Sequence, residues 1–361
     1  MPYIVPDYIH QPLYVVCAIY NPIRFKSRWK HYERFAAHVK ASGGILITVE
    51  AAFGDRHHAL ADGVDHNATF IHQVAPTDQT AFNNTRSTNP HQYIKVRTSS
   101  EIWIKENLQM IGVSRLPEDW KYVALVDADI AWARPNWVGE TIHQLQHYKV
   151  VQMFSESQDV GPRYASLNET KSFAWCYAKD MPIDTLKSIA YAYYHPAGIK
   201  KGPSLWHPGY AWAFRRDAWD ELGGVIDFAI AGSADKHMAC ALIGQVESSY
   251  HPDVSETYKR RLQEWQFRAD KHIRRNIGYV SGLLIHYWHG RKLNRGYKDR
   301  WQILTENKFN PDTDLKYDWQ GLHQLVDRGD DRSIALRDDL MKYFRQRQED
   351  SIDLEGLGDE E

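Results

Sequence analysis

Cysteine is scarce: the 361 residues hold three, Cys17, Cys176 and Cys240, none in a C-x-x-C pair. That excludes a disulfide framework, and a reducing compartment is the simplest setting. Long apolar runs are also missing; none approaches the length of a membrane span. The stretch Met1–Gln11 carries Pro2, Pro6 and Asp7 but neither the basic start nor the apolar core of a signal peptide. A soluble cytoplasmic protein without membrane contact is expected, and the N-x-T sequons at Asn67, Asn83 and Asn168 are expected to be accidental. An excess of one charge is absent too. Lys+Arg number 44 against 46 Asp+Glu, a net charge of −2, which rules out a generic basic nucleic-acid coat but leaves room for a local patch. At 43% apolar and 25% charged the composition is globular rather than disordered or fibrous. No internal repeat is visible. What is abundant is ring chemistry: 13 Trp, 21 Tyr and 18 His. Rings in that number suit a cleft for flat or cyclic ligands and a metal, as well as simple core filling.

The apolar pattern reads as α/β. Leu13–Tyr20 (LYVVCAIY) is a continuous β-rich run closed by Asn21-Pro22, the signature of a parallel strand buried on both faces. Residues 26–41 place Trp29, Tyr32, Phe35, Ala36 and Val39 at helical spacing and stop at Gly43-Gly44; Ile45–Glu50 is a second buried strand. This β-α-β opening predicts a parallel sheet. A polar loop is expected over 77–92 and a helix over about 99–112 capped by Ser99 or Ser100. Strands are expected over 121–130, 150–154 and 279–288, and helices over 136–148, 216–222, 235–243 and, basic and amphipathic, 256–276. Residues 155–172 and 194–208 read as loops, and from about 311 the chain is polar and expected to wrap the outside. The last thirteen residues, 349–361, hold seven acidic groups and no basic one, and read as a frayed acidic tail.

Three places carry chemistry. The strand KYVALV runs straight into Asp127-Ala128-Asp129. Ligands of open parallel sheets bind beyond the carboxyl ends of the strands, and two adjacent carboxylates there repel unless a cation lies between them, which suits Mn²⁺ or Mg²⁺ on a diphosphate. Next, His286-Tyr287-Trp288-His289-Gly290 leaves a strand end beside a glycine turn, so a neutral imidazole can complete the metal shell. Strand alternation puts His286 and His289 on opposite faces if the strand continues, so one of the two, not both, is expected at the metal. Last, Trp206 to Phe214 (WHPGYAWAF) is followed by Gly223-Gly224 and then Gly232-Ser233-Ala234-Asp235. Gly209 allows close backbone approach to a ligand, and Trp206, Tyr210 and Trp212 offer stacking faces or core packing. Asp235 at a helix start is either an N-cap or a general base within reach of an acceptor hydroxyl.

Over about residues 13–305 these features in this order resemble nucleotide-sugar glycosyltransferases of the GT-A type. The acceptor half, Gly209 through Arg215, Gly223-Gly224 and Asp235, resembles the galactosyltransferase and polypeptide N-acetylgalactosaminyltransferase group, which usually shows Glu-Asp or Asp-Asp where this chain has Ala234-Asp235. The run from Leu116-Pro117 to Asp129, with HYWHG and Asp318-Trp319-Gln320-Gly321, is similar to bacteriophage-encoded glycosyltransferases, some of which modify hydroxymethylated pyrimidines in DNA.

The resemblance implies a Rossmann-like, mixed but mostly parallel sheet flanked by helices. The catalytic domain would span 1–310, with a nucleotide-sugar half at 13–130 and an acceptor half at 131–310, followed by a C-terminal helical extension at 311–348. It implies Mn²⁺ or Mg²⁺ on Asp127, Asp129 and either His286 or His289. A UDP-sugar would lie on the turn Tyr20-Asn21-Pro22 with Arg24, with Glu50 at the same edge and Arg97 and Lys105 as further donor contacts. Asp235 would act as base in an inverting transfer, and the acceptor would meet Trp206, Gly209, Tyr210, Trp212 and Arg295. Residues 259–300 hold twelve Lys+Arg against three acidic residues, a surface that would attract a phosphate backbone, so DNA is an expected acceptor beside a saccharide or cell-surface polymer. A metal-dependent nuclease or phosphotransferase, and a non-catalytic nucleic-acid binder, are the rival readings.

Overall fold

The computed structural model describes residues 11–60, 90–181, 206–297 and 299–352. Asn67, Asn83, the loop expected at 77–89 and residues 194–205 lie outside the described residues. β1 (Leu13–Tyr20), α1 (Lys26–Ala41) and β2 (Ile45–Phe53) form the expected parallel β-α-β unit. β3 (Gln92–Thr98) extends it in parallel, and after α2 (Lys105–Val113) the chain returns as β4 (Tyr122–Val126) on the other side of β1. β5 (Ile130–Trp132), α3 (Trp137–His147), β6 (Val150–Gln152), β7 (Glu156–Val160), β8 (Ser166–Ser172) and α4 (Phe173–Ala178) follow. After them come β9 (Trp206–His207), β10 (Ala211–Arg215), α5 (Arg216–Leu222), α6 (Ala234–Leu242) and α7 (Glu256–Arg268). The last elements are β11 (Ile277–Tyr279), β12 (Leu283–His286), α8 (Arg300–Glu306), α9 (Pro311–Asp314), β13 (Leu315–Tyr317), β14 (His323–Leu325) and α10 (Asp331–Gln346).

The main sheet has seven strands in the order β11-β6-β10-β4-β1-β2-β3, all neighbours parallel except β10, which is antiparallel to β4 and β6. This is the mixed, mostly parallel α/β sheet expected. Its central strands β1 and β4 read as unbroken apolar runs because both faces are covered. Along β1, Val16 enters a core completed by α2, α5, α6 and α7, while Val15 and Cys17 enter another against α1 and α3. A second sheet, β5-β12-β7-β8-β9, stands beside the first.

Four local expectations differ. Residues 155–172 are a β-hairpin, β7 with β8, rather than a loop; its polar pattern reflects a partly exposed ladder at Glu156, Gln158 and Glu169. The helix expected from Ser99 or Ser100 starts at Lys105, because both hydroxyls are engaged by the β14 segment. Ser99 Oγ donates to Gln324 Oε1 at 3.2 Å and Ser100 Oγ accepts from the Leu325 N–H at 3.0 Å. The late strand divides at Gly282 (φ +147°) into β11 and β12, one in each sheet. The acidic tail begins later than 349: Glu349 is 1% exposed and Asp350 accepts from the Lys26 and Ser27 N–H groups at the start of α1. Among the described residues no helix is long and apolar enough to cross a membrane.

Candidate active site

The strand order reverses between β1 and β4, the position where open α/β sheets leave a crevice beyond their carboxyl ends. A cleft of about 190 Å³ opens there, reached by Tyr20 from β1 and by Asp127 and Asp129 after β4. Register brings the rest. β5 pairs antiparallel with β12 so that Ile130 faces His286, and β12 pairs parallel with β7 so that His286 faces Asp159. Ile130, His286 and Asp159 therefore lie in a row across the second sheet, with Asp129 one residue before it. The strand ends at His286. The Tyr287 N–H donates to the Asp129 carbonyl at 2.9 Å, and His31 Nε2 meets the Trp288 carbonyl at 2.7 Å, turning the chain so that His289 comes back over the site. At Gly290 (φ +83°) an added Cβ would lie 2.9 Å from the Gln348 carbonyl and 3.0 Å from Glu349 Cα, so the C-terminal segment crosses where only glycine fits.

The two histidines are thus on one side, not on opposite faces. Their Nε2 atoms are 3.1 Å apart, and Asp129 Oδ2 is 3.1 Å from His289 Nε2 and 3.9 Å from His286 Nε2. One donor atom from each lies within 4.8 Å of the others. Asp129 Oδ1 is buried without a hydrogen-bond partner. A carboxylate with an orphaned oxygen and two convergent imidazole nitrogens fits a divalent cation, and the mixed oxygen–nitrogen set suits Mn²⁺ better than Mg²⁺. Asp127, expected as the other ligand, is instead 3.0 Å from Lys105 Nζ. Burial pushes its carboxyl above the usual range, against the pull of Lys105.

Asp159, which the residue pattern did not single out, accepts from His286 Nδ1 at 2.7 Å, the Tyr210 hydroxyl at 2.9 Å and Lys292 Nζ at 2.5 Å. Burial alone would raise its carboxyl; the hydrogen bond from His286 Nδ1 and the ammonium of Lys292 hold it well below the usual range. Its only signal was one of two acidic residues in the polar ESQDV.

Asp235 opens α6 beside Lys105. Its Oδ1 accepts from the Lys236 N–H at 2.8 Å. Burial would raise its carboxyl, but the charge of Lys105 outweighs it and keeps the group ionised at neutral pH. An added Cβ on Gly209 would lie 2.3 Å from Asp235 Oδ2, so this glycine makes room for the carboxylate. His207, lowered to about 3 by burial, is neutral; its Nδ1 accepts from the Gly209 N–H at 3.1 Å and its ring stacks 3.6 Å from Tyr210. Tyr210 is held at φ +72°, a strained backbone at the wall of the site.

Of the expected donor contacts, Tyr20 and Lys105 line the cleft. The others are placed elsewhere. Asn21 closes its own turn on Phe25, Pro22 accepts from Arg56, and Arg24 lies 5.9 Å above Trp29. Glu50 is buried between β2 and β3, accepting from Tyr93, and Arg97 binds the Arg56 carbonyl at 2.8 Å. Of the expected acceptor contacts, Tyr210 and Arg295 line the cleft. Trp206 packs on Phe173, and Trp212 donates to the Pro208 carbonyl at 2.7 Å inside the core. Arg295 Nη2 lies 3.1 Å from His289 Nε2. The structure adds Trp103, Arg300, Phe344 and Arg347 to the walls. The last two sit at the end of α10, more than 200 residues beyond β4 in sequence, and no local motif announces them.

The basic segment 259–300 divides. Arg260 and Arg261 pair with Asp312, and Arg260 also with Glu264, on the surface. Arg295 and Arg300 turn into the cleft.

No protein-family model and no curated protein sequence matches the chain. Solved structures do. A putative nucleotide-diphospho-sugar transferase from Desulfovibrio desulfuricans G20 is 10% identical, covering 93% of this chain and 97% of that one, at a TM-score of 0.30. A mannosyltransferase from Pyrobaculum calidifontis, in complex with GDP-Man and Mn²⁺, is 16% identical over 76% of this chain and 65% of that one, at 0.34. The catalytic domain of Drosophila β1,4-galactosyltransferase 7, in complex with xylobiose, is 11% identical over 63% of this chain, at 0.28, and this chain spans 59% of its length.

Proposed function

We propose that this chain is a metal-dependent glycosyltransferase of the GT-A type that moves a sugar from a UDP-sugar to an acceptor hydroxyl, with inversion at the anomeric carbon. The observation that carries the reading is one cleft, at the reversal point of the sheet, that joins the Asp129–His286–His289 cluster to a separate ionised carboxylate, Asp235. Those three residues would hold Mn²⁺ or Mg²⁺, which when bound neutralises charge on a diphosphate leaving group. Lys105, Arg295 and Arg300 add positive charge along the same cleft. Tyr20, edge-on to Phe344 at 5.9 Å, and Trp103, stacked on Phe344 at 6.5 Å, supply flat faces for a nucleoside. Asp235 takes the acceptor's hydroxyl proton as the acceptor oxygen bonds to the anomeric carbon. The bond from that carbon to the diphosphate oxygen breaks, and UDP leaves with the electron pair.

Two acceptor classes fit a hydroxyl nucleophile. A 5-hydroxymethylpyrimidine in phage DNA is supported by Lys271, Arg274 and Arg275, exposed together beyond the end of α7. A saccharide or cell-surface polymer is supported by the pairing of Arg260 and Arg261 with Asp312, which removes part of the expected basic face. The test is incubation with Mn²⁺, a panel of UDP-sugars, and either DNA containing 5-hydroxymethylcytosine or 5-hydroxymethyluracil or saccharide acceptors, with products weighed by mass spectrometry. UDP release should need Mn²⁺ and be lost in Asp129→Ala; unchanged turnover in that variant refutes the metal role. Nicked DNA or released phosphate without a sugar donor would identify a nuclease or phosphotransferase instead. Salt-sensitive DNA binding indifferent to Mn²⁺ and UDP would identify a binding protein.

A further inference from the structure

We propose that Asp159 is a positioning residue that sets the tautomer of His286, and with it the ability of this site to bind a metal; the inference rests on the metal-site reading above. Neutral imidazole carries one proton, and which nitrogen holds it is set by the partner of the other. His286 Nδ1 lies 2.7 Å from Asp159 Oδ1, and a carboxylate only accepts, so Nδ1 is the protonated nitrogen and Nε2 keeps its lone pair. That lone pair points to the place where Asp129 Oδ2 and His289 Nε2 also converge. His289 Nε2 lies 3.1 Å from Arg295 Nη2, which only donates, so this nitrogen is unprotonated too, and a cation would take its lone pair in place of the guanidinium. All three converging atoms are then acceptors, and the charge they require between them is positive.

The sheet makes this arrangement rigid. Asp159 and His286 are register partners in the parallel β7–β12 pair, so their separation is set by the ladder rather than by a loop. Asp159 is 8% exposed and fully engaged: Oδ1 also accepts from Tyr210, and Oδ2 accepts from Lys292 Nζ at 2.5 Å. Lys292 gives the inference its sharpest consequence. In Asp159→Asn the ammonium of Lys292 demands an oxygen, so the amide oxygen turns to Lys292 and the NH₂ turns to His286. Facing a donor, His286 Nδ1 must become the acceptor, the proton moves to Nε2, and the ligand lone pair is gone. Removing the lysine as well, in Asp159→Asn/Lys292→Met, frees the amide to turn its oxygen back to His286 and restore the ligand tautomer.

The experiment measures Mn²⁺ affinity by electron paramagnetic resonance and the His286 tautomer by ¹⁵N-imidazole spectra of the metal-free protein at alkaline pH, assigned with His286→Gln. Asp159→Asn should lose about 10- to 100-fold in Mn²⁺ affinity, the usual scale for such an outer partner, and show Nε2–H at His286. The double variant should recover most of the affinity. Thr170→Val, which breaks the Ser157–Thr170 bond of the same hairpin at 2.6 Å, should change stability but not affinity. Wild-type affinity and tautomer in Asp159→Asn, or no recovery in the double variant, overturns the inference. If Asp159→Asn does not fold, the wild-type spectrum alone decides, because Nε2–H there overturns it. Absence of Mn²⁺ binding by the wild type would instead overturn the metal-site reading, whatever the tautomer.

Discussion

Glu349→Gln tests how the cleft wall is built. Glu349 is 1% exposed and lies between two arginines: Arg28 Nε at 2.5 Å and Nη2 at 2.7 Å, and Arg347 Nε at 2.6 Å. Arg347 is itself buried and lies 5.2 Å over the Trp103 ring. Glutamine keeps the shape but removes the charge, leaving Arg347 buried without its counter-ion, a change that costs about 3–5 kcal/mol in comparable sites. An independent route gives a similar size. Burial raises the Glu349 carboxyl, but Arg28 and Arg347 more than reverse this and bring it from 4.5 to about 2, which corresponds to about 3 kcal/mol. The folded value lies below the unfolded one, so the contribution is complete above about 4.5 and is lost as pH falls towards about 2. Urea unfolding followed by tryptophan fluorescence should therefore show Glu349→Gln less stable by about 3 kcal/mol at neutral pH, with the gap to wild type closing as the medium is acidified through that window. A loss under about 1 kcal/mol, the range of exposed pairs, or a gap independent of pH, would refute the buried bridge. It would return residues 349 and 350 to the frayed tail that their acidity alone suggests.

Gly209→Ala forces a Cβ to within 2.3 Å of Asp235 Oδ2 and should lower kcat by about 10²-fold through displacement of the base, with the donor KM unchanged; steady-state kinetics at wild-type kcat would show that Asp235 is not the base. The three cysteines are buried, and burial raises Cys17 to about 12 and Cys176 to about 11. A colorimetric thiol reagent should therefore find no reactive group in the native protein and all three after unfolding, and rapid native labelling would show an opening of the core.

The helix and strand periods of the main sheet were legible because they follow from local pattern. LYVVCAIY and YVALV are apolar throughout, and only a strand covered on both faces is free of polar positions. The hairpin at β7 and β8 was not legible, because its ladder is partly solvated and its polar residues look like a loop. β3 was hidden for a related reason: QYIKVRT alternates with exposed polar groups at the sheet edge. Asp129, Lys105 and Asp235 could be picked out from strand and helix ends, whereas Glu50, expected at such an end, lies within β2 and is buried, accepting from Tyr93.

By itself the sequence determined the α/β class, the place of the D-x-D at a strand's carboxyl end, and the glycine-framed segment that carries Asp235, since each depends on spacing within a few residues. Tertiary structure decided which carboxylate of the pair stands with the histidines, because Lys105 from α2 captures Asp127. It decided that both histidines turn to one side, through the anchoring of Tyr287 and Trp288 by Asp129 and His31. It also placed Asp159 behind His286 by strand register and brought Phe344, Arg347 and Glu349 across the cleft. Apart from Lys105 with Asp127, these contacts join segments more than a hundred positions apart, and their partners are chosen by how the sheets and α10 pack, which no local pattern encodes.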